Sequence, residues 1–163
     1  MLLLLKNLLF TVIVPGTVAV WVPLWIEAGS AAASGLARLG GGALLALGAG
    51  IYAWCLWDFA TFGRGTPAPI DAPKRLVVRG LYRWTRNPMY VGVLCVILGQ
   101  AVWFGASTLL LYALGVAACF YSFVRFYEEP TLRRLFGVEY EEYCHRVGRW
   151  LPHFTARARP RGA

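Results

Sequence analysis

Apolar residues gather along this chain in four long stretches, at residues 2–26, 39–62, 88–104 and 107–127. Roughly 20 apolar residues let a helix cross a hydrocarbon layer of about 30 Å. The pattern therefore predicts an all-α integral membrane fold of about four spans. The third stretch is the shortest. It is expected to tilt or to lie partly in the interface, and to pair with the fourth as a tight hairpin through Gly105. Pro15-Gly16 predicts a kink in the first span, and Trp21 and Trp25 mark its outer interface. In the second span Gly42, Ala46 and Gly50 recur every four residues and predict a stripe for close helix packing.

After the fourth stretch the period changes. Leu132, Phe136, Tyr140, Tyr143 and Val147 fall on one side of a helix, with Arg133, Arg134, Glu141, Glu142 and Arg146 on the other. Residues 130–146 are thus expected to form interfacial helices that begin at Pro130 and break at Gly137. Such a segment lies on the membrane surface, as a cap folded over a pocket. Between spans two and three, the run Gly63-Arg64-Gly65-Thr66-Pro67-Ala68-Pro69 excludes regular structure and reads as a connector or a lid. Leu76-Val77-Val78 reads as a short extended piece. Residues 1–154 form one domain in this reading, and 155–163 a basic tail.

Composition supports a membrane solvent. Of the 163 residues, 58% are hydrophobic, and the mean hydropathy is +0.56, too apolar for an ordinary soluble domain. The first stretch is longer than a signal peptide's apolar core, and Lys6 follows four leucines, so a retained anchor is expected. Basic residues concentrate between spans two and three and in the C-terminal segment, which places both termini and the central loop in the cytoplasm. The net charge of +8 then reflects topology and attraction to anionic lipid headgroups, and nucleic acid is not an expected partner. Cys55, Cys95, Cys119 and Cys144 show no C-x-x-C spacing, so neither a disulfide framework nor a metal site is expected. His145 and His153 read as surface residues.

Two polar clusters lie at facing ends of spans three and four. Arg86-Asn87-Pro88-Met89-Tyr90 opens the third, and Glu128-Glu129-Pro130 closes the fourth. Each has a plain structural explanation. Asn87 suits an N-cap and Pro88 a first helical turn, while Arg125 is spaced to pair with Glu129. Asp58, at the inner end of span two, suits either the pocket or the water boundary. Charges at a membrane edge usually face a polar cavity rather than lipid. Together the clusters offer an anion site at the helix N-terminus beside Arg86 and a cation or hydroxyl site at the acid pair. Tyr90, Tyr140 and Tyr143 supply aromatic walls. S-adenosylmethionine matches this set of groups; a nicotinamide dinucleotide also uses an anion site and an acid for its ribose.

From about Gly80 to Pro152 the chain resembles the integral-membrane methyltransferases that include isoprenylcysteine carboxyl methyltransferases and phospholipid methyltransferases. The matching residues are Gly80, Tyr82, Arg86-Asn87-Pro88, Tyr90 and Gly92, then Arg125 and Glu128-Glu129. Leu132, Phe136-Gly137, Tyr140, Tyr143, Arg149-Trp150 and Pro152 complete them. The resemblance implies methyl transfer from S-adenosylmethionine to a lipid or lipidated acceptor at the cytoplasmic face, in a bacterial inner membrane. It implies that Arg86, Asn87, Tyr90, Glu128, Glu129, Tyr140, Tyr143 and Arg149 bind the cofactor or shape its pocket, with Arg86 and Glu129 positioning the reacting groups. Many carboxyl methyltransferases of this kind have His where this chain has Asn87. Asn-Pro-Met-Tyr and Tyr127-Glu-Glu-Pro130 favour the phospholipid branch, and the C-terminal motifs the carboxyl branch. Both a carboxylate and an amine acceptor stay open. The rival readings are an NADPH-dependent reductase of the sterol type and a non-enzymatic lipid-binding scaffold.

Overall fold

The computed structural model describes residues 2–28, 31–63 and 75–152, with side chains from residue 9 onward. The Gly63–Pro69 connector, His153 and the basic tail fall almost wholly outside these residues. Five helices account for the described chain. Helix α1 runs from Leu2–Gly16 through a π-helical turn, Thr17–Trp21, into Val22–Ile26. Helix α2 is Gly35–Asp58 with a π turn at Phe59–Gly63, and α3 is Pro88–Phe104. Helix α4 is Ser107–Phe123, a π turn Val124–Glu128 and Glu129–Phe136; α5 is Val138–Arg146. A 3-10 turn, Gly80–Arg83, precedes α3. No strand occurs among the described residues. Leu76–Val78 makes no ladder, and one isolated bridge joins Thr85 to Gly148.

Among the described residues, three helices are long and apolar enough to cross a membrane: α1, α2 and α4. Helix α3, at 17 residues, is shorter and is wedged between α2 and α4. Gly105 ends it in the left-handed conformation (φ 65°), and its amide donates to Val102 O while Ala106 N donates to Ala101 O. These bonds satisfy the last carbonyls of α3 and form the expected hairpin.

Helix α2 meets α3 through glycines, but not the expected ones. A Cβ on Gly48 would lie 2.6 Å from Gly92 O, and one on Gly41 2.7 Å from Trp103 N. Gly92 and Gly99 answer from α3, 3.0 Å from Gly48 O and 2.8 Å from Leu45 N by the same measure. Gly50 faces open space, and Gly42 only the Trp103 ring. The contact thus repeats every seven residues, as helices crossing at a shallow angle require, and the four-residue stripe is displaced from it.

Helix α1 shows what a proline costs inside a bilayer. Pro23 has no N–H for Ala19 O, and the π turn sends Val22 N to Thr17 O, away from Val18 O. Backbone carbonyls stranded in hydrocarbon need partners from elsewhere. Gln100 Nε2 of α3 donates to Ala19 O at 2.6 Å, and the Tyr112 hydroxyl of α4 donates to Val18 O at 2.8 Å. The expected disturbance near Pro15-Gly16 is therefore a π turn, fixed by side chains of two neighbouring helices.

Pro130 does not start a new helix. Helix α4 continues through it to Phe136, because the π turn just before it absorbs the missing N–H. The break comes at Gly137, whose φ is 51°. Beyond it α5 folds back, and Tyr140, Tyr143 and Val147 pack with Leu76, Leu132, Phe136 and Cys144. This is the apolar side that the sequence period anticipated.

Candidate functional site

The polar end of the bundle is assembled by the segment after α5. Arg86 N donates to Gly148 O at 2.9 Å, and Thr85 Oγ1 to Arg149 O at 3.0 Å. Asn87 stands at the N-cap of α3 but makes no side-chain cap bond; its Nδ2 donates to Arg149 O at 3.0 Å. The expected cap residue is a tie between the start of α3 and the C-terminal segment.

Glu129 is the hub of an ion cluster. Its side chain is 2% exposed. Arg149 grips it with two parallel bonds, Nε to Oε1 at 2.7 Å and Nη2 to Oε2 at 2.9 Å. Arg86 Nη1 lies 3.1 Å from Oε1, and Arg133 Nη1 3.8 Å from Oε2. Arg125, the partner expected from spacing, is exposed over the Phe126 ring. Arg125 lies within the π turn Val124–Glu128, which shifts the four-residue register on which that expectation rests.

Arg86 also donates to Cys144 Sγ at 2.7 Å and to the Tyr140 hydroxyl at 3.4 Å. The Tyr143 hydroxyl donates to Tyr82 O at 2.7 Å, clamping α5 to the turn before α3. Burial pushes both the Tyr140 and Tyr143 phenols above their ordinary pKa, although Arg86 acts against it in each. They remain neutral, and their rings pack in the core beneath α5.

Beside this cluster lies a cleft of about 620 Å³, counting the space at its mouth. Phe10, Val14, Pro15 and Val18 of α1 line it, with Tyr52 and Phe59 of α2, Tyr82 of the 3-10 turn, Met89, Tyr90 and Val93 of α3, and Phe120 of α4. Its polar end holds Arg86, Asn87, Tyr90 and Glu128. The Tyr90 hydroxyl donates to Glu128 Oε2 at 2.8 Å, and the Tyr90 ring packs on Phe120 and Trp150.

The eight residues singled out from sequence thus fall into two groups. Arg86, Asn87, Tyr90 and Glu128 face the cleft. Glu129, Tyr140, Tyr143 and Arg149 are outside its lining and stand behind Arg86. Asp58 is outside it too. It is 1% exposed and bonds Arg79 Nε at 3.2 Å. Its Oδ2 packs against Gly80 so closely that a Cβ there would collide with it. Sequence reading missed the four residues of α1, Tyr52 and Phe59 of α2, Val93 and Phe120 as cleft walls; the kink at Pro15 was the available signal for those of α1.

A model of the phospholipid methyltransferase family matches residues 36–139, and the chain belongs to that family. Two curated relatives from rice, of the indica and japonica subspecies, are each named probable protein-S-isoprenylcysteine O-methyltransferase. Each is 36% identical over 85 residues, which cover 48% of this chain and 41% of the relative. The match therefore takes in less than half the length of those relatives. No solved structure gives a significant match.

Proposed function

We propose that this protein is an S-adenosylmethionine-dependent methyltransferase acting on a lipid-borne acceptor at the cytoplasmic face of the membrane. One observation carries the reading. A single cleft joins an apolar wall, drawn from α1, α2, α3 and α4, to a polar end holding Arg86, Asn87, Tyr90 and Glu128. In this reading α3 crosses the membrane as a fourth span and α5 caps the polar end.

The residues present fit the cofactor. Arg86 Nε is buried and finds no hydrogen-bond partner. Glu129 is already held by the two-pronged grip of Arg149, so the positive charge of Arg86 is only partly offset. A spare N–H and spare positive charge at the cleft suit a carboxylate, and the bonds to Glu129, Cys144 and Tyr140 fix the guanidinium for it. Tyr82 and Tyr90 offer aromatic faces to a sulfonium. When bound, S-adenosylmethionine supplies an activated methyl group.

The chain's own work is alignment and exclusion of water. Arg86 and Asn87 orient the cofactor. Glu129, Arg149, Tyr140 and Tyr143 hold Arg86 in place. The walls from α1 and α4 admit an apolar tail, which the acceptor brings from the bilayer. Basic residues at this end attract anionic headgroups around the mouth. The rice relatives favour a carboxylate acceptor and the family model a phospholipid; neither favours the reductase reading.

The test is calorimetric binding of S-adenosylhomocysteine and of NADPH to the detergent-purified protein. The adenosyl ligand is expected to bind, and Arg86→Ala to weaken it at least tenfold. Binding of NADPH alone returns the protein to the reductases, and binding of neither by folded protein supports the scaffold.

A further inference from the structure

The apolar part of the cleft is blind. Counting away from the polar end, its last lining residue on each helix is Val18 of α1, Tyr52 of α2, Val93 of α3 and Phe120 of α4. All four pack in one cluster with Ala19, Ile97 and Ala113, and Ile97 is wholly buried. These residues make a floor. At the helical rise, α3 climbs about 9 Å from Asn87 to Val93, and α4 about 12 Å from Glu128 to Phe120. The hydrocarbon of one leaflet is about 15 Å deep, so the cleft stops short of the length of a lipid's tail.

Helix α1 reaches this floor through its π turn. Phe10, Val14 and Val18 are four residues apart and form one stripe along the cleft. In the π turn Val22 N donates to Thr17 O rather than to Val18 O. Returning that amide to Val18 O would turn the part of α1 before it by about 100° about its axis and carry the stripe off the cleft. Two side chains oppose this. The Tyr112 hydroxyl occupies Val18 O at 2.8 Å, and Gln100 Nε2 occupies Ala19 O at 2.6 Å. Both donors are outside the cleft lining, and Gln100 is buried. A third bond, Thr11 Oγ1 to the Tyr52 hydroxyl at 3.0 Å, ties the stripe to α2. Polar groups are costly in hydrocarbon, and π turns gather at functional sites; here both serve to aim one wall.

We propose that Gln100 and Tyr112 are positioning residues that, by holding the π turn of α1, set the length of apolar chain the cleft admits. The methyltransferase reading enters only in taking that chain to be the acceptor's. The chain lies along Phe10 and Val14 and ends against Val18. Each methylene that enters favours binding by about fourfold; the first one past the floor overpacks it.

The test does not depend on the acceptor's reacting group. Met89→Cys puts a thiol in the lining, and Leu114→Cys puts one on an exposed side of α4. Each variant, in nanodiscs, is reacted with alkyl methanethiosulfonates from ethyl to hexadecyl. Mass spectrometry of the peptide carrying the new thiol keeps the four native cysteines out of the reading. The ratio of the two rates cancels partition of the reagent into lipid. It should hold for short chains and fall about tenfold or more between butyl and dodecyl, the cost of overpacking a filled site. Tyr112→Phe and Gln100→Leu should each move that fall to longer chains, and Val18→Phe to shorter ones. S-adenosylhomocysteine affinity should be unchanged in Tyr112→Phe, because neither donor touches the polar end; a merely structural role would weaken it and leave the fall where it was. A ratio that never falls shows that the cleft has no floor, and a fall at the same length in Tyr112→Phe shows that the hydroxyl does not set it; either overturns the proposal. If Gln100→Leu does not fold, Tyr112→Phe decides, since it removes a single oxygen. A fall in protein that binds no S-adenosylhomocysteine removes the methyltransferase reading and leaves the floor standing.

Discussion

At the scale of single residues, the decisive contrast is between what a side chain touches and where its charge is neutralised. Glu129 and Arg149 form a planar fork on a buried carboxylate. Buried pairs are weak evidence of net stability, but removing one partner is costly because the other charge is left unpaired. Glu129→Gln should therefore lower stability by about 3–5 kcal/mol, read as thermal unfolding in detergent. Arg149→Lys keeps the charge but loses the fork, so its cost should be smaller, about 1–2 kcal/mol. Equal melting points for both variants and the wild type would show that the cluster is not held together in solution. Adenosyl-ligand affinity should fall in parallel, since Arg86 shares Glu129 with Arg149. The sequence marked Arg86 and Glu129 as polar groups at a membrane edge and reached Arg149 only through the family resemblance. It did not separate the cleft-facing acid from the anchored one, because the π turn that rotates them is a tertiary outcome with no local signature.

At the scale of elements, the α2–α3 contact sets the frame. Glycines at positions 41, 48, 92 and 99 let two backbones approach until no Cβ fits between them. Gly48→Val should disrupt this pair by about 1–3 kcal/mol, the usual cost of overpacking. Gly50→Val, facing open space, should be neutral or slightly stabilising, since valine is a better helix former than glycine. Thermal unfolding of the two variants in the same detergent checks this. Equal destabilisation would put the interface on the face first expected from the four-residue spacing. The hairpin at Gly105, the break at Gly137 and the apolar side of α5 were legible because each follows from local period or a single backbone conformation. The true packing register was not, since Gly41 and Gly42, or Gly48 and Gly50, look alike until a partner helix chooses between them. Nor were the bonds from Gln100 and Tyr112 to α1. They join residues 81 and 94 positions apart, although Pro23 marks the carbonyl of Ala19 as one in need of a donor.

At the scale of the whole molecule, charge and cleft point to the same side of the membrane. Arg79, Arg83, Arg86, Arg125, Arg133, Arg134, Arg146 and Arg149 all belong to the end that carries the polar part of the cleft. At the opposite end, Glu27 and Arg38 are the charged residues among those described. Excess Lys and Arg stay with the cytoplasm during insertion, so the cleft should open there, where a charged, water-soluble cofactor can reach Arg86 without crossing lipid. The apolar walls then extend into the inner half of the bilayer, within reach of a lipid's tail. Arg83 and Ala32 are exposed positions at the two ends. A membrane-impermeant maleimide should label Arg83→Cys only in inside-out vesicles and Ala32→Cys only in intact cells, each compared with the unsubstituted protein. The reverse pattern would turn the cleft outward and separate it from a cytoplasmic cofactor. Labelling of both variants in both preparations would show dual insertion, and with it that the arginine-rich end does not direct the chain.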